Sequence, residues 1–173
     1  MKKGLTYALG VAIATQFFIL VGMYVKAQMP LWTGELVRVK AIPVDPRSLF
    51  RGNYARLNYD FSRVAKSALA GDRRVREGEV VYVSLKKDPS GLYAFSGASL
   101  EKPSEGVFLK GRVVGRNAWR AKHFYRVKYG IEAYFAPKAK ALQLERELRD
   151  GGIAELMVAP SGQVTLKNVI GDD

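Results

Sequence analysis

The 173-residue chain has no cysteine and a single histidine, and these two shortages exclude several kinds of site. Without cysteine there can be no disulfide, no thiolate metal ligand and no thiol nucleophile. With His123 as the one imidazole, a metal site of several histidines cannot form, and a solvated loop position is its simplest role. The glycines form no dinucleotide or P-loop fingerprint. We therefore expect no cofactor and no metal, and the sequence by itself names no catalytic residue.

The charge is strongly positive, with 28 Lys and Arg against 16 Asp and Glu. Leaving out Lys2, Lys3 and Lys26 of the first 27 residues, 25 basic residues remain against 16 acidic ones, a balance of +9 for the rest of the chain. Such an excess attracts nucleic acid, anionic lipid or acidic polymers, although scattered lysines also serve solubility. If the domain lies outside the cytoplasm, nucleic acid is not a partner.

One long apolar run stands near the N-terminus. Leu5 to Val25 carries no charge, and 21 helical residues span about 31 Å, close to the thickness of a bilayer core of about 30 Å. We interpret residues 1–27 as a cytoplasmic tip and transmembrane anchor, and residues 28–173 as an extracytoplasmic β-rich domain. The alternative is a signal peptide cleaved after Ala27, but the run is longer than the roughly 7–15 residues typical of signal peptides.

The charges beside the anchor bear on its orientation. Lys2 and Lys3 form a tight cluster at the N-terminus, which favours an N-inside topology. Lys26, Arg38 and Lys40 follow the other end, so the flanking charges are nearly balanced. Because long domains cross a membrane largely regardless of charge, we expect a single-pass inner-membrane protein with its C-terminal domain outside the cytoplasm.

Alternating apolar residues predict strands at 35–42, 80–87, 92–100, 107–114, 124–127, 131–135, 153–159 and 164–170. Helical composition is limited to segments 62–70 and 137–149, each followed by glycine. The pattern indicates an α+β, strand-dominated fold: a single N-terminal transmembrane helix, then a small antiparallel sheet or open barrel with one or two helices. A domain of roughly 145 residues can bury its own core.

The chain is organised around residues 51–61. Gly52 and Asn53 tolerate the positive φ of a turn, and the alternating run that follows predicts a strand. Leu57 and Tyr59, two positions apart, would share the inward face of that strand.

The run Gly52-Asn53-Tyr54-Ala55-Arg56-Leu57-Asn58-Tyr59 resembles the signature of the bacterial GDYXXLXY family, whose members carry one hydrophobic segment before a small extracytoplasmic domain. Two other stretches are similar to family features, Pro43-Val44-Asp45-Pro46-Arg47 and Tyr129-Gly130-Ile131-Glu132-x-Tyr134-Phe135. Asn53 stands where the motif has Asp, and an amide cannot act as a general base. The resemblance implies a setting beside multi-pass membrane proteins and no particular chemistry. The positions that it marks for folding or interaction are Asp45, Arg47, Arg51, Gly52, Asn53, Tyr54, Leu57, Tyr59, Tyr129, Gly130 and Glu132.

Three carboxylates lie beside these stretches. Asp45, Asp60 and Glu132 could provide a general acid and base if the fold brings two of them close together. The simpler interpretation gives them structural roles, with Asp45 capping a turn and the others paired with neighbouring arginines.

A Ser-Lys dyad is the one nucleophilic arrangement to consider, because membrane-anchored signal peptidases use such a dyad just after their anchor. Ser48 with Lys40 or Lys66 would supply it, but the Ser-x-x-Pro context of such enzymes is missing. A membrane-anchored hydrolase acting on an envelope polymer or polypeptide therefore stays the alternative function.

Aromatic and arginine residues interleave along the chain, and these types are enriched at interaction hot spots. They are Tyr54, Tyr59, Trp119, Tyr125, Tyr129 and Tyr134, with Arg51, Arg56, Arg116, Arg120 and Arg126. About half of the aromatics, Tyr59 and Tyr134 first, would belong to the sheet core. The remainder favour a non-enzymatic accessory or interaction subunit that presents a β-rich domain to a membrane-protein partner.

The anchor itself has a possible packing face. Gly4, Ala8, Ala12 and Gln16 recur every four residues, and small residues at this spacing let another helix approach closely. Gln16 inside a membrane would need a hydrogen-bond partner. We therefore expect contact with lipid and with a multi-pass membrane protein or a second copy.

Overall fold

The computed structural model describes residues 2–43, 54–69, 75–115, 123–135 and 151–171. Several predictions fall outside these ranges: the 137–149 helix, the positions Asp45, Arg47, Ser48, Arg51, Gly52 and Asn53, and Trp119 with its neighbouring arginines 116 and 120.

The first element is the long helix α1, Lys2–Thr33. Within its Thr6–Thr33 portion the most apolar stretch of 18 residues has a mean hydropathy of 2.0, and none of that stretch is buried against the rest of the chain. Within the described ranges it is the one helix long and apolar enough to cross a membrane. The helix continues through Pro30 to Thr33, six residues beyond the predicted end of the anchor at residue 27.

The rest of the described chain is dominated by ten strands. They are β1 Glu35–Pro43, β2 Tyr54–Asn58, β3 Arg63–Ala65, β4 Val80–Lys87, β5 Tyr93–Ser99, β6 Val107–Val114, β7 Phe124–Lys128, β8 Ala133–Phe135, β9 Gly152–Val158 and β10 Val164–Gly171. They form two five-stranded antiparallel sheets, ordered β10-β9-β1-β2-β8 and β3-β7-β6-β4-β5. The predicted strand-dominated α+β fold behind one N-terminal helix is confirmed.

The predicted helix at 62–70 is wrong. Two short 3-10 turns, Asp60–Ser62 and Lys66–Ala68, flank β3 instead. Val64 lies opposite Tyr125 of β7 with its side chain fully buried, and the Lys66 N–H extends the pairing by donating to the His123 carbonyl at 2.9 Å. Pairing with β7 therefore prevails over the weak helical preference of the segment.

One hydrophobic core serves both sheets. The first sheet contributes alternate residues of β1 to this core, as its alternating sequence predicts. They are Val37, Val39 and Ala41, and all three are completely buried. The second sheet contributes residues such as Leu109 and Val113 of β6. The two sheets therefore depend on each other for burial of their inner faces.

At one point of this core the backbone of β6 lies directly under an aromatic ring. A Cβ added at Gly111 would lie 2.8 Å from Tyr129 Cε1 and would also collide with the Val127 side chain. Only glycine fits beneath this ring, because the two side chains occupy the volume that any side chain would need.

We expect Gly111→Ala to lower the free energy of unfolding by about 1–3 kcal/mol, the usual effect of overpacking a core. Thermal melting of the purified protein measures it. The matched control is Gly97→Ala on β5, where an added Cβ meets nothing within 4 Å. Equal melting temperatures for the two variants would show that the Tyr129 ring does not lie over β6 in this way.

Candidate functional site

The motif strand β2 lies inside the first sheet, between β1 and β8. Leu57 and Tyr59 are each 2 % exposed, whereas Asn58 between them is exposed, so the predicted inward face is confirmed. The Leu57 N–H donates to the Glu132 carbonyl at 3.0 Å. The motif strand is thus joined directly to the second family-like stretch at Tyr129 to Glu132.

Three aromatic rings hold these two stretches together, and we call Tyr59, Phe61 and Tyr129 the tyrosine clasp. Tyr59 stacks on Phe61 with ring centres 5.0 Å apart. Tyr129 packs edge-to-face against Phe61, with ring centres 5.3 Å apart and an angle of 84° between the ring planes. Such offset and edge-to-face contacts stabilise beyond the area that they bury.

The two phenols of the clasp form crossed hydrogen bonds. Tyr59 Oη donates to the Ile131 carbonyl at 2.9 Å, beside Tyr129 in the chain. Tyr129 Oη donates to the Phe61 carbonyl at 2.7 Å, beside Tyr59. Each hydroxyl therefore satisfies a backbone acceptor of the opposite segment, and a buried acceptor left unsatisfied would be costly.

Glu132 organises the turn that carries Tyr129. Its Oε1 accepts the Tyr129 N–H at 2.6 Å and its Oε2 accepts the Gly130 N–H at 3.1 Å. Gly130 has φ = 88°, a conformation that favours glycine. Both carboxylate oxygens are therefore used within the turn. Asp60 has a similar local role, because its Oδ1 accepts the N–H of the next residue, Phe61, at 2.7 Å.

The electrostatic environment keeps both phenols of the clasp neutral. Burial raises the pKa of Tyr59 above its ordinary value of 10.0, and the negative charge of Glu132 raises it further. Burial likewise raises the pKa of Tyr129, with smaller contributions from Glu132 and Asp60. The phenols act as hydrogen-bond donors to carbonyls, and the geometry gives the motif a role in folding.

A model of the GDYXXLXY protein family matches residues 16–169. The chain belongs to the GDYXXLXY family. No curated protein and no solved structure matches it significantly. The leucine and the final tyrosine of the GDYXXLXY motif correspond to Leu57 and Tyr59. In this member Leu57 is buried near the end of β2, and Tyr59 provides one ring of the tyrosine clasp.

Of the proposed aromatic and arginine surface of this GDYXXLXY protein, the side chains that the structure describes are mostly turned inward. Tyr59, Tyr125 and Tyr129 are buried, and Tyr134 is partly buried with its Oη 3.3 Å from Asn168 Oδ1. Arg126 is exposed. Interleaving of residue types does not separate the two faces of β7, whereas the strict alternation along the strand places Tyr125 and Tyr129 on the face opposite Arg126.

A second feature, not foreseen from the sequence, is a cleft of about 690 Å³ bordered by β2, β3, β6 and β7. Its charged and aromatic lining comes from Arg63, His123, Phe124, Arg126, Lys128 and Glu132. We call it the basic cleft. The alternation of Phe124, Arg126 and Lys128 could have indicated a shared outer face of β7, but Arg63 joins them only because β3 is a strand where a helix was predicted.

The raised pKa values of the clasp predict alkaline sensitivity. A folded-state pKa above the unfolded value of about 10 means that the neutral phenol stabilises the fold fully below pH 10, and that this contribution is lost as the pH rises beyond about 10. Each phenol contributes a slope of up to about 1.36 kcal/mol per pH unit in that range.

We expect Tyr59→Phe and Tyr129→Phe each to cost about 1–3 kcal/mol at pH 7, since a buried carbonyl loses its donor. Above pH 10 each variant should lose stability less steeply than the wild type. Melting temperatures across pH 7 to 11 test both effects. Tyr82→Phe, at a partly exposed position on β4, serves as the control, and an identical alkaline slope in all four proteins would refute the account.

Proposed function

We propose that this GDYXXLXY protein is a membrane-anchored, non-enzymatic accessory subunit that presents its β-rich domain to a membrane-protein partner. The observation that carries the proposal is the junction between α1 and β1, a single residue, Gly34, between Thr33 and Glu35. A domain joined to its anchor by so short a link is held at a defined position, as a subunit of an assembly needs to be.

The junction is tightly packed. The Gly34 N–H donates to the Pro30 carbonyl at 3.0 Å, and a Cβ at Gly34 would collide with that carbonyl and lie 3.0 Å from the Val158 nitrogen. Pro30 is buried, and the end of α1 contacts β9 and β10. Cleavage after Ala27 would cut α1 just before this packed last turn, which favours retention of the helix.

The polar groups of the motif favour a non-catalytic role. Glu132 and Asp60 bind neighbouring backbone N–H groups, and the two phenols of the clasp bind carbonyls. A hydrolytic acid or base would need these groups to face a substrate. The function is therefore better placed on the surface and the anchor than in the motif.

The anchor offers a face for a partner helix. Gly4, Ala8, Ala12 and Gln16 are exposed along α1, and nothing from the rest of the chain lies within 4 Å of a Cβ added at Gly4. In a bilayer, close packing through small residues would supply most of the association, and a hydrogen bond from Gln16 would add about 0.6–2 kcal/mol. The proposed occupant of this face is a helix of a multi-pass protein, or α1 of a second copy.

In this proposal the protein is a single-pass protein of the inner membrane, with residues 28–173 on the extracytoplasmic side. It contacts lipid through α1, uses no cofactor and does not meet nucleic acid.

The topology is tested by fusion to the C-terminus in a bacterium. A phosphatase fused after Asp173 should be active, and the protein should stay in the membrane fraction after carbonate extraction. A second fusion at the same position carries a reporter that is active only in the cytoplasm. Activity of that reporter would show that the C-terminus lies inside the cell, contrary to the proposal. Release of the protein by carbonate would overturn the anchor.

The packing face is tested in the anchor itself. We expect Ala8→Leu combined with Ala12→Leu to reduce co-purification of a multi-pass partner, or self-association, more than Gln16→Leu does, because bulky side chains prevent close helix approach. The matched control is Gly10→Leu combined with Ala14→Leu, two small exposed residues that are also four positions apart but lie on the opposite face of α1. Full complex formation with a poly-leucine α1 would show that the helix is only a tether.

A further inference from the structure

The basic cleft carries three basic side chains, Arg63, Arg126 and Lys128, against one carboxylate, Glu132. All three cations are exposed, whereas both oxygens of Glu132 accept backbone N–H groups. Among the described residues, no carboxylate lies within 4.0 Å of these three cations. The described lining of the cleft therefore carries a net positive charge, and no described carboxylate forms an ion pair with its three basic side chains.

Strand pairing places like charges directly opposite each other here. Arg63 of β3 faces Arg126 of β7, and Lys128 of β7 faces Arg112 of β6. Arg112 Nη1 donates to the Gly78 carbonyl at 2.8 Å, but Arg63 and Arg126 have no such backbone acceptor among the described residues. Like charges directly opposite on a sheet are destabilising, so this arrangement lowers stability unless an anion lies between them.

An aromatic side chain lies beside these charges. Phe124 is 49 % exposed, and the Arg63 guanidinium carbon lies 5.2 Å from the centre of its ring. The contact holds the guanidinium over the ring, while the edges of the guanidinium stay free to donate to a carboxylate. Arginine and aromatic residues together are typical of the centres of protein interfaces.

The cleft lies far from the anchor along the first sheet. β1 leaves α1 at Glu35, and Ile42 near its other end pairs with Asn58, which lines the cleft. Seven steps along a strand cover about 23 Å, and salt screens exposed charges over about 8–10 Å. Measured along β1, the cleft therefore lies farther from the end of α1 than the distance over which salt lets exposed charges act.

We propose that the basic cleft binds an acidic peptide segment, one bearing closely spaced Asp or Glu side chains, on the extracytoplasmic part of the partner. This inference rests on the accessory-subunit function and specifies the chemistry of the partner. A carboxylate between Arg63 and Arg126 relieves their repulsion, and the volume of the cleft is in the range of pockets that hold small ligands or a few side chains. The exposed ring of Phe124 fits the apolar parts of a peptide better than it fits inorganic phosphate.

Binding is measured on the purified full-length chain in detergent, by fluorescence anisotropy. The probes are a labelled peptide of alternating glutamate and serine, the same peptide with glutamine for glutamate, inorganic polyphosphate, and vesicles containing phosphatidylglycerol. We expect the glutamate peptide to bind, with an affinity that falls as salt is added, and the glutamine peptide to bind at least about tenfold more weakly, since charged hydrogen bonds are the stronger ones.

The decisive variant is Arg63→Gln with Arg126→Gln, compared with Lys86→Gln and Lys87→Gln at the exposed end of β4. Both double variants remove the same charge. We expect about a tenfold or greater loss of peptide affinity in the first and less than about a twofold change in the second. The Arg63→Gln/Arg126→Gln variant should have a melting temperature no lower than that of the wild type, because a repulsive pair of charges is removed. If this variant does not fold, Lys128→Gln is tested in its place.

Equal losses in the two double variants would mean that net charge alone attracts the peptide, which overturns the proposal. Absence of peptide binding overturns it as well, as does a preference for polyphosphate or for vesicles over the peptide. These measurements use the isolated chain, so they are independent of topology and co-purification. If the peptide does not bind but the protein stays in the membrane fraction and still co-purifies with its partner, the accessory role is retained. The partner would then contact another surface of the domain.

Discussion

The fold depends on the crossed hydrogen bonds of the tyrosine clasp. Residues 57–61 and 129–132 are about 70 positions apart in the chain, yet Tyr59 binds the backbone beside Tyr129, and Tyr129 binds the backbone beside Tyr59. The first of these segments leads from β2 into β3, and the second leads from β7 into β8. Since β2 and β8 belong to one sheet and β3 and β7 to the other, the clasp lies where both sheets exchange strands.

This position explains why the motif is more informative about folding than about chemistry. A phenol in the core provides a large apolar ring and one donor, and the clasp uses both. Glu132 completes the unit by holding the turn that aims Tyr129. Burial keeps both phenols neutral by raising their pKa, and the charge of Glu132 adds to this effect, so the hydroxyls stay protonated and donate to the carbonyls.

Much of the architecture could be predicted from local patterns, and the rest could not for identifiable reasons. The strands at 80–87 and 107–114 match their predicted bounds, because alternation of apolar residues follows directly from a sheet with one buried face. Segment 62–70 was misassigned, since Val64 is held by β7, a partner some sixty residues away. The same long-range pairing creates the basic cleft, so no local pattern could have placed Arg63 opposite Arg126. The burial of Tyr125 and Tyr129, in contrast, follows the local alternation of β7 and could have been predicted from it.

If α1 crosses a membrane as proposed, the single-residue joint at Gly34 couples the tilt of that helix to the position of the β-rich domain. Transmembrane helices tilt by about 20° on average, and the cleft lies about 23 Å from the joint along β1. If the link at Gly34 does not bend, a helix tilt of that size displaces the cleft laterally by about 8 Å. This displacement is larger than the spacing between two neighbouring strands. The thickness of the bilayer and the packing of α1 would then decide where the domain reaches, so the helix would work as a lever arm as well as an attachment.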